Sequence, residues 1–355
     1  KIYSPIEKTK QVIDETPKSP IYRDLRENMS GNIYVRSIQK TGKSTFIISL
    51  PHRWVVKNKL GKGSKVFLKL LDDGSIKVSP FSLEEKPVSR ESLATLEVKL
   101  EEVGSIERLL IAYYEAGYDT IRIRQEPYLS EKLRSEVRRV LLRLSGLEIV
   151  EETASEMILQ VIIDESQIPI KRTLERMENI VRSMLHDLKK GVLERNAKIL
   201  ESIIERDNEL DKFYFFLGRQ AVVAIKGKRI SLSMGLEEPV LVLPYKTYGK
   251  CLEEMGDTLV SATRYLLSKS NTLDGNKILE ILNHLEKSFE WAVKVFKENS
   301  GEAVKAVSNL YTSFFLSFEQ QLYEPDAMIL SASRFLSLCI DVLEAHVEKQ
   351  ALTRS

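Results

Sequence analysis

The sequence predicts a multidomain chain: a small N-terminal β module, a small α+β middle domain, and a C-terminal all-α bundle of two three-helix repeats. Three observations predict it. Residues 31–80 alternate like short strands punctuated by glycine and proline. Residues 92–165 read strand, helix, strand, helix, strand, strand. From Ile168 onward the apolar period is helical to the end. A chain of 355 residues is long enough for several domains with real cores.

Residues 1–30 are polar, carry Pro5, Pro17 and Pro20, and show no sustained apolar period, so they read as a flexible tail. In the β module, Ile33–Val35 and Phe46–Leu50 are β-rich, and Pro51 stops the second run. His52–Leu60 is long enough for two helical turns, closed by Gly61 and Gly63. Lys65–Leu71 and Ser75–Ser79 form a hairpin across Asp72, Asp73 and Gly74. This is too little chain to bury a core alone, so the module is expected to complete itself by dimerising.

Phe81–Glu91 reads as a linker. In the middle domain, Leu96–Leu100 is a strand and Ile106–Ala116 a helix ended by Gly117. Thr120–Arg124 alternates as a strand, and Ser130 caps a helix that runs to Leu144 before Gly146. Leu147–Val150 and Met157–Ile163 are strands. No constellation in this domain carries chemistry on its face.

The bundle, residues 168–350, divides into six helical segments: 170–190, 193–225, 245–269, 275–297, 301–323 and 326–349. The breaks fall at Gly191, at Gly227–Pro244, at Asn271–Gly275, at Ser300 and Gly301, and at Pro325. Six long helices in two sets of three predict a duplicated bundle.

Net charge is +2, which gives no global nucleic-acid signature, but the balance is uneven. Between Gly31 and Pro80 ten lysines and arginines face only Asp72 and Asp73, a net of +8. A locally basic module on a nearly neutral chain points to a polyanionic partner. Cys251 and Cys339 form no framework and no metal-spaced cluster, which suits a reducing cytoplasm. No apolar run approaches the roughly 20 residues of a membrane span. The expectation is a soluble cytoplasmic protein without membrane insertion.

TGKST at Thr41–Thr45 invites a phosphate-loop reading, and its context opposes that. The loop needs a glycine where Ser37 stands. It must also open a helix, whereas Phe46–Leu50 is strand-like. No nucleotide cofactor and no enzymatic activity is therefore expected.

The second bundle segment carries an apolar seam at Leu200, Ile203, Leu210, Tyr214, Leu217 and Ala221, with Asp207 set into it. A carboxylate at a seam position is costly without a partner. Asp211 lies one turn further on. The third segment has a seam at Tyr248, Leu252, Met255, Leu259, Ala262 and Leu266, flanked by Glu253 and Asp257, with Gly256 permitting close approach. Four carboxylates on two neighbouring helices would suit a hard cation. Lys212, Arg206 or Arg264 would equally satisfy them as ordinary ion pairs.

ERDNELDKFY at Glu205–Tyr214 and LEEMGD at Leu252–Asp257 resemble the paired acidic helix motifs of the PhoU family of phosphate-signalling regulators. That resemblance covers about 168–349. It implies a duplicated three-helix bundle binding iron or another divalent metal in its first repeat, through Asp207, Asp211, Glu253 and Asp257. The second half departs from the pattern: SNLYT at Ser308–Thr312 lacks the acids, and SLCID at Ser337–Asp341 has one.

VRSIQKTGKSTFIISLP at Val35–Pro51, Trp54 and LGKGSKV at Leu60–Val66 are similar to AbrB/MazE/SpoVT modules. This resemblance implies a swapped-hairpin β-barrel, formed as a homodimer on double-stranded DNA. It assigns DNA contacts to Arg36, Lys40, Lys43 and Arg53, with Thr41, Ser44 and Thr45 as phosphate-binding hydroxyls. The two resemblances together match archaeal-type phosphate uptake regulators. They imply transcription regulation in phosphate homeostasis, with phosphate-transport or phosphate-sensing proteins as further partners. The alternatives are an architectural, chromatin-like DNA binder and a phosphate-transporter adaptor that does not use DNA.

Overall fold

The computed structural model describes residues 34, 36–42, 44–70, 74–80, 93–225, 228–269, 274–298, 300–319 and 325–354. The expected tail, the linker, Lys43, Asp72 and Asp73 lie outside them. The chain divides into two compact units, Lys1–Val88 and Ser89–Ser355.

In the first unit, β1 (Gln39–Thr41) pairs antiparallel with β2 (Thr45–Ile47). The turn between them uses Gly42 at φ 66°, a conformation glycine adopts without a Cβ penalty. Helix α1 (His52–Lys57) follows Pro51. β3 (Val66–Leu70) pairs antiparallel with β4 (Ile76–Pro80), where Gly74 also takes positive φ. The described strands therefore form two separate two-stranded sheets, and no closed barrel is formed among the described residues. None of the described residues between Tyr34 and Pro80 is buried. Phe46 (66%), Leu68 (68%) and Leu70 (77%) are open to solvent, a surface two isolated hairpins cannot cover.

The second unit opens with a four-stranded sheet in the order β5-β6-β8-β7: β5 (Leu93–Glu97), β6 (Thr120–Arg124), β7 (Leu147–Glu152) and β8 (Glu156–Val161). β5 and β6 are parallel, joined through α2 (Ile106–Glu115); the other pairings are antiparallel. The first strand lies earlier than Leu96–Leu100, because the chain turns into a 3-10 segment at Leu100–Ser105. Ser130 caps α3 (Glu131–Leu141) by accepting from the Leu133 amide at 3.3 Å. Leu110 and Tyr114 of α2 and Leu133, Val137 and Val140 of α3 bury one face of the sheet against Ile121, Ile123 and Leu159.

Among the described residues the bundle follows as six long helices and one short one. They are α4 (Ile170–Glu194), α5 (Ala197–Ala224), α6 (Lys228–Ser233), α7 (Val242–Ser268), α8 (Gly275–Glu298), α9 (Gly301–Ser317) and α10 (Ala327–Arg354). α4, α5 and α7 pack on one another, α8 packs on α9 and α10, and α7 and α10 share a long interface between the two sets. The predicted seams face the core: Leu200, Ile203, Leu210 and Leu217 on α5 are buried, Tyr214 and Ala221 are half-buried against it, and Tyr248, Leu252, Met255, Leu259, Ala262 and Leu266 on α7 are buried.

Several helix boundaries differ from expectation: α1 ends at Lys57 and α3 at Leu141, α5 starts at Ala197 and α7 at Val242, α10 runs on to Arg354, and α6 occupies part of the expected break at Gly227–Pro244. α4 runs through Gly191 and ends at Glu194, followed by Arg195 as its C-cap in the left-handed conformation at φ 48°. Gly191 lies within the helix, where a Cβ would meet Leu200 Cδ2 at 2.6 Å, so its role is close approach and not a stop. α9 ends at Ser317, short of the expected 323.

The middle domain is fused to the bundle. Phe216 of α5 belongs to the core of the sheet domain, and Phe215 packs against that core. Three residues further on, Arg219 is 1% exposed. It donates to the Tyr118 carbonyl at 2.7 Å and the Tyr114 carbonyl at 3.3 Å, and pairs with Asp119 at 2.7 Å. Its Nε lies 3.0 Å from Glu165 Oε1, close enough for ion pairing but not aligned for a hydrogen bond. No helix among the described residues is long and apolar enough to cross a membrane.

Candidate functional site

In the N-terminal unit, Arg36, Lys40, Thr41, Ser44, Thr45 and Arg53 are all exposed. The strand register puts Lys40 opposite Phe46 and Thr41 opposite Thr45, so the hydroxyls flank the Gly42 turn. The Arg36 guanidinium lies 5.6 Å from the centre of the Tyr34 ring. Arg53 is on α1, away in sequence from the hairpin.

In the second unit, Asp207 and Asp211 lie on α5 and Glu253 and Asp257 on α7. Gly256 is what lets these helices close. A Cβ there would meet Leu210 Cδ2 at 2.3 Å and Asp207 Oδ1 at 3.2 Å, so the carboxylate lies against the α7 backbone. Asp207 Oδ1 is buried and has no hydrogen-bond partner. Burial, then the charges of Asp211, Asp257 and Glu253, push its carboxyl up to about 7, with Arg264 opposing. Burial also raises Asp257, aided by Asp211 and opposed by Lys250. Burial raises Glu253, again against Lys250. The four carboxylates thus feel one another, and the seam position carries the strain.

Two of the four have cationic partners. Lys250 Nζ donates to Glu253 at 2.6 Å. Arg143 Nη2 donates to Asp211 at 2.6 Å, its other terminal nitrogen pairs with Glu107, and its guanidinium lies 5.3 Å from the centre of the Phe215 ring. Arg143 follows α3, so the middle domain does contribute to this chemistry. Neither Lys212 nor Arg206 is the partner; Arg206 pairs with Asp187 at 2.6 Å. Among the described residues no group of three or more His, Cys, Asp or Glu is drawn together as metal ligands. The donor set fits a hard cation in its chemistry: all oxygen, mutually repelling, with one orphaned buried oxygen.

The equivalent stretch of the second set is differently furnished. Ser308 and Thr312 turn their hydroxyls back onto the carbonyls of Val304 and Ser308. Ser337 does the same to Ser333, and Asp341 sits 3.9 Å from Arg334.

The architecture is that of a small, open β-hairpin module followed by an acidic-seamed helical bundle. The PhoU domain model matches residues 174–266, which span the first set of three helices and all four carboxylates. The model for the antidote-toxin recognition protein MazE, a bacterial antitoxin, matches residues 39–89. The chain therefore carries a PhoU domain behind a MazE-type N-terminal domain. No curated protein matches it.

Proposed function

We propose that the protein is a homodimeric, non-enzymatic regulator of phosphate homeostasis that binds double-stranded DNA through its MazE-type module and senses a divalent cation, iron among the candidates, in its bundle. The observation that carries the DNA reading is the charge of the module: ten cations against two acids, with Arg36, Lys40 and Arg53 exposed, as are Thr41, Ser44 and Thr45. Lys43, one residue past the Gly42 turn, completes the set. A second copy of the chain would cover the apolar residues each module leaves open, and would double the number of phosphate contacts.

Fluorescence anisotropy on duplexes of different sequence, over a salt series, tests this. If each copy supplies about four phosphate contacts, the affinity should fall with a log–log salt slope of about −7. The double variant Arg36→Ala/Lys43→Ala should flatten that slope by about 3–4 and weaken binding to every duplex alike. Equal, weak binding to every duplex would favour an architectural role. No binding at low salt would leave only an adaptor of phosphate transport.

For the cation, Asp207, Asp211, Glu253 and Asp257 would supply the oxygens, displacing Arg143 from Asp211 and Lys250 from Glu253. The metal content of the purified protein should drop in Asp207→Ala/Asp257→Ala. An unchanged content, or none in the parent, rejects the site.

A further inference from the structure

A cavity of about 240 Å³ lies between the two helical sets, away from the four carboxylates and sharing no residue with them. Its floor is aromatic. Tyr248 of α7 stacks on Phe296 of α8 with centroids 4.0 Å apart and planes at 19°. Tyr245 meets Phe296 edge-on at 5.5 Å. Three lysines from three helices converge on it: Lys171 of α4, Lys297 of α8 and Lys349 of α10.

These lysines are not alike. Lys297 lies 2.6 Å from Glu178, a carboxylate only 2% exposed that also accepts from the Tyr248 hydroxyl at 3.0 Å. That pair is matched. Among the described residues, neither Lys171 nor Lys349 has a carboxylate within ion-pairing distance, although Glu175 also lines the cavity. Lys349 donates to the Phe296 carbonyl in the last turn of α8 and sits 4.1 Å from the centre of that ring. Burial, then the charge of Lys171, pushes its ammonium down to about 8. On its own helix, His346 lies one turn away and is itself lowered by burial and by Lys349. With Glu178 matched by Lys297, two ammonium groups and the single carboxylate of Glu175 remain on the cavity lining, an excess of positive charge that an anion would relieve.

We propose that this cavity binds a phosphoryl group, as inorganic phosphate or a small phosphate monoester, between Lys349 and Lys171 and above the Tyr245–Tyr248–Phe296 floor. A phosphoryl group presents several acceptor oxygens, so it can take one hydrogen bond from each of the two ammoniums. The volume exceeds a bare oxyanion, so a small organic substituent has room against the aromatic floor. The site joins α4 and α7 of the first set to α8 and α10 of the second, so a bound phosphoryl group would tie the two sets together.

Calorimetric titration of the full chain at pH 8, with inorganic phosphate and with phenyl phosphate, tests the proposal. Saturable binding is expected, weakened at least about tenfold in Lys349→Met, a loss of about 1.4 kcal/mol. Lys349 also caps α8, so Lys171→Gln provides the independent variant; this residue is exposed, and its loss should weaken binding several-fold without disturbing the helix end. Binding should take up part of a proton, seen by comparing buffers of different ionisation enthalpy, because the anion raises Lys349; Lys349→Met should abolish that uptake. Tighter binding of phenyl phosphate would identify a monoester as the ligand, and equal binding the free anion. No saturable heat with either ligand at millimolar concentration, or parental affinity in both variants, would overturn it. The outcome is independent of DNA and metal binding, which neither variant touches.

Discussion

Replacing Arg219 by methionine lowers the stability of the protein by about 3–5 kcal/mol. The guanidinium is 1% exposed and is shared among Asp119, Glu165 and two carbonyls. Methionine fills much of the volume, so the loss is electrostatic: Glu165, 6% exposed, is left in the interior without its cation. Asp119 is more open and recovers water. Arg219→Lys keeps the charge but not the fork of donors, so it should recover only part of the loss. Urea unfolding followed by circular dichroism reads the effect. A loss below about 1 kcal/mol would mean that the joint is held by apolar packing and not by this arginine.

The second large effect concerns Asp207. In protein stripped of metal, Asp207→Asn should stabilise the fold by about 1–2 kcal/mol at pH 8. The carboxyl titrates near 7 in the folded chain against 3.8 as its ordinary value. Between those values the folded state holds a proton that the unfolded state has released, so stability falls as pH rises. The penalty is complete above pH 7 and absent below about pH 4. The full equivalent of the shift is about 4 kcal/mol, and solvent reaching this half-buried group reduces it. Asparagine carries no such penalty, so its advantage should vanish on acidification. With a divalent cation present the sign should reverse, because the charged carboxylate is then the form that binds. Melts at pH 5 and pH 8, with and without cation, separate these cases. A variant less stable than the parent at pH 8 without metal would show that Asp207 is satisfied in some other way.

Much of the bundle was legible because its signals are local. Apolar residues at steps of three and four placed both seams correctly, and Asp207 stood out by interrupting one of them. Gly191 misled because a glycine inside a helix and a glycine ending one look alike in sequence; only the nearness of Leu200 separates them. The partner of Asp211 could not be read, because Arg143 is 68 residues away and arrives through another domain. One signal was present and unused. Phe213, Tyr214, Phe215 and Phe216 are consecutive, so they cover α5 all round, and a helix apolar on every side is buried on more than one. Phe213 and Tyr214 serve the bundle core, while Phe215 and Phe216 serve the sheet domain. In the N-terminal module, strand and turn chemistry located the second hairpin and the Gly42 turn, but β1 at Gln39–Thr41 was not among the expected strands and β2 stops at Ile47, short of Leu50.

The way α5 is shared has a practical consequence for anyone dividing this chain. A cut near residue 166 looks natural, since it falls between the last strand and the first long helix. The helix beyond it would then lose its lining: Phe215 and Phe216 would face water, and Arg219 would lose Asp119, Glu165 and both carbonyls at once. The sheet domain would in turn lose Phe216 from its centre. Neither fragment would be a fair sample of the piece it came from, and inactivity in either would say nothing about the intact protein. The smallest unit worth isolating begins near residue 89 and includes both halves.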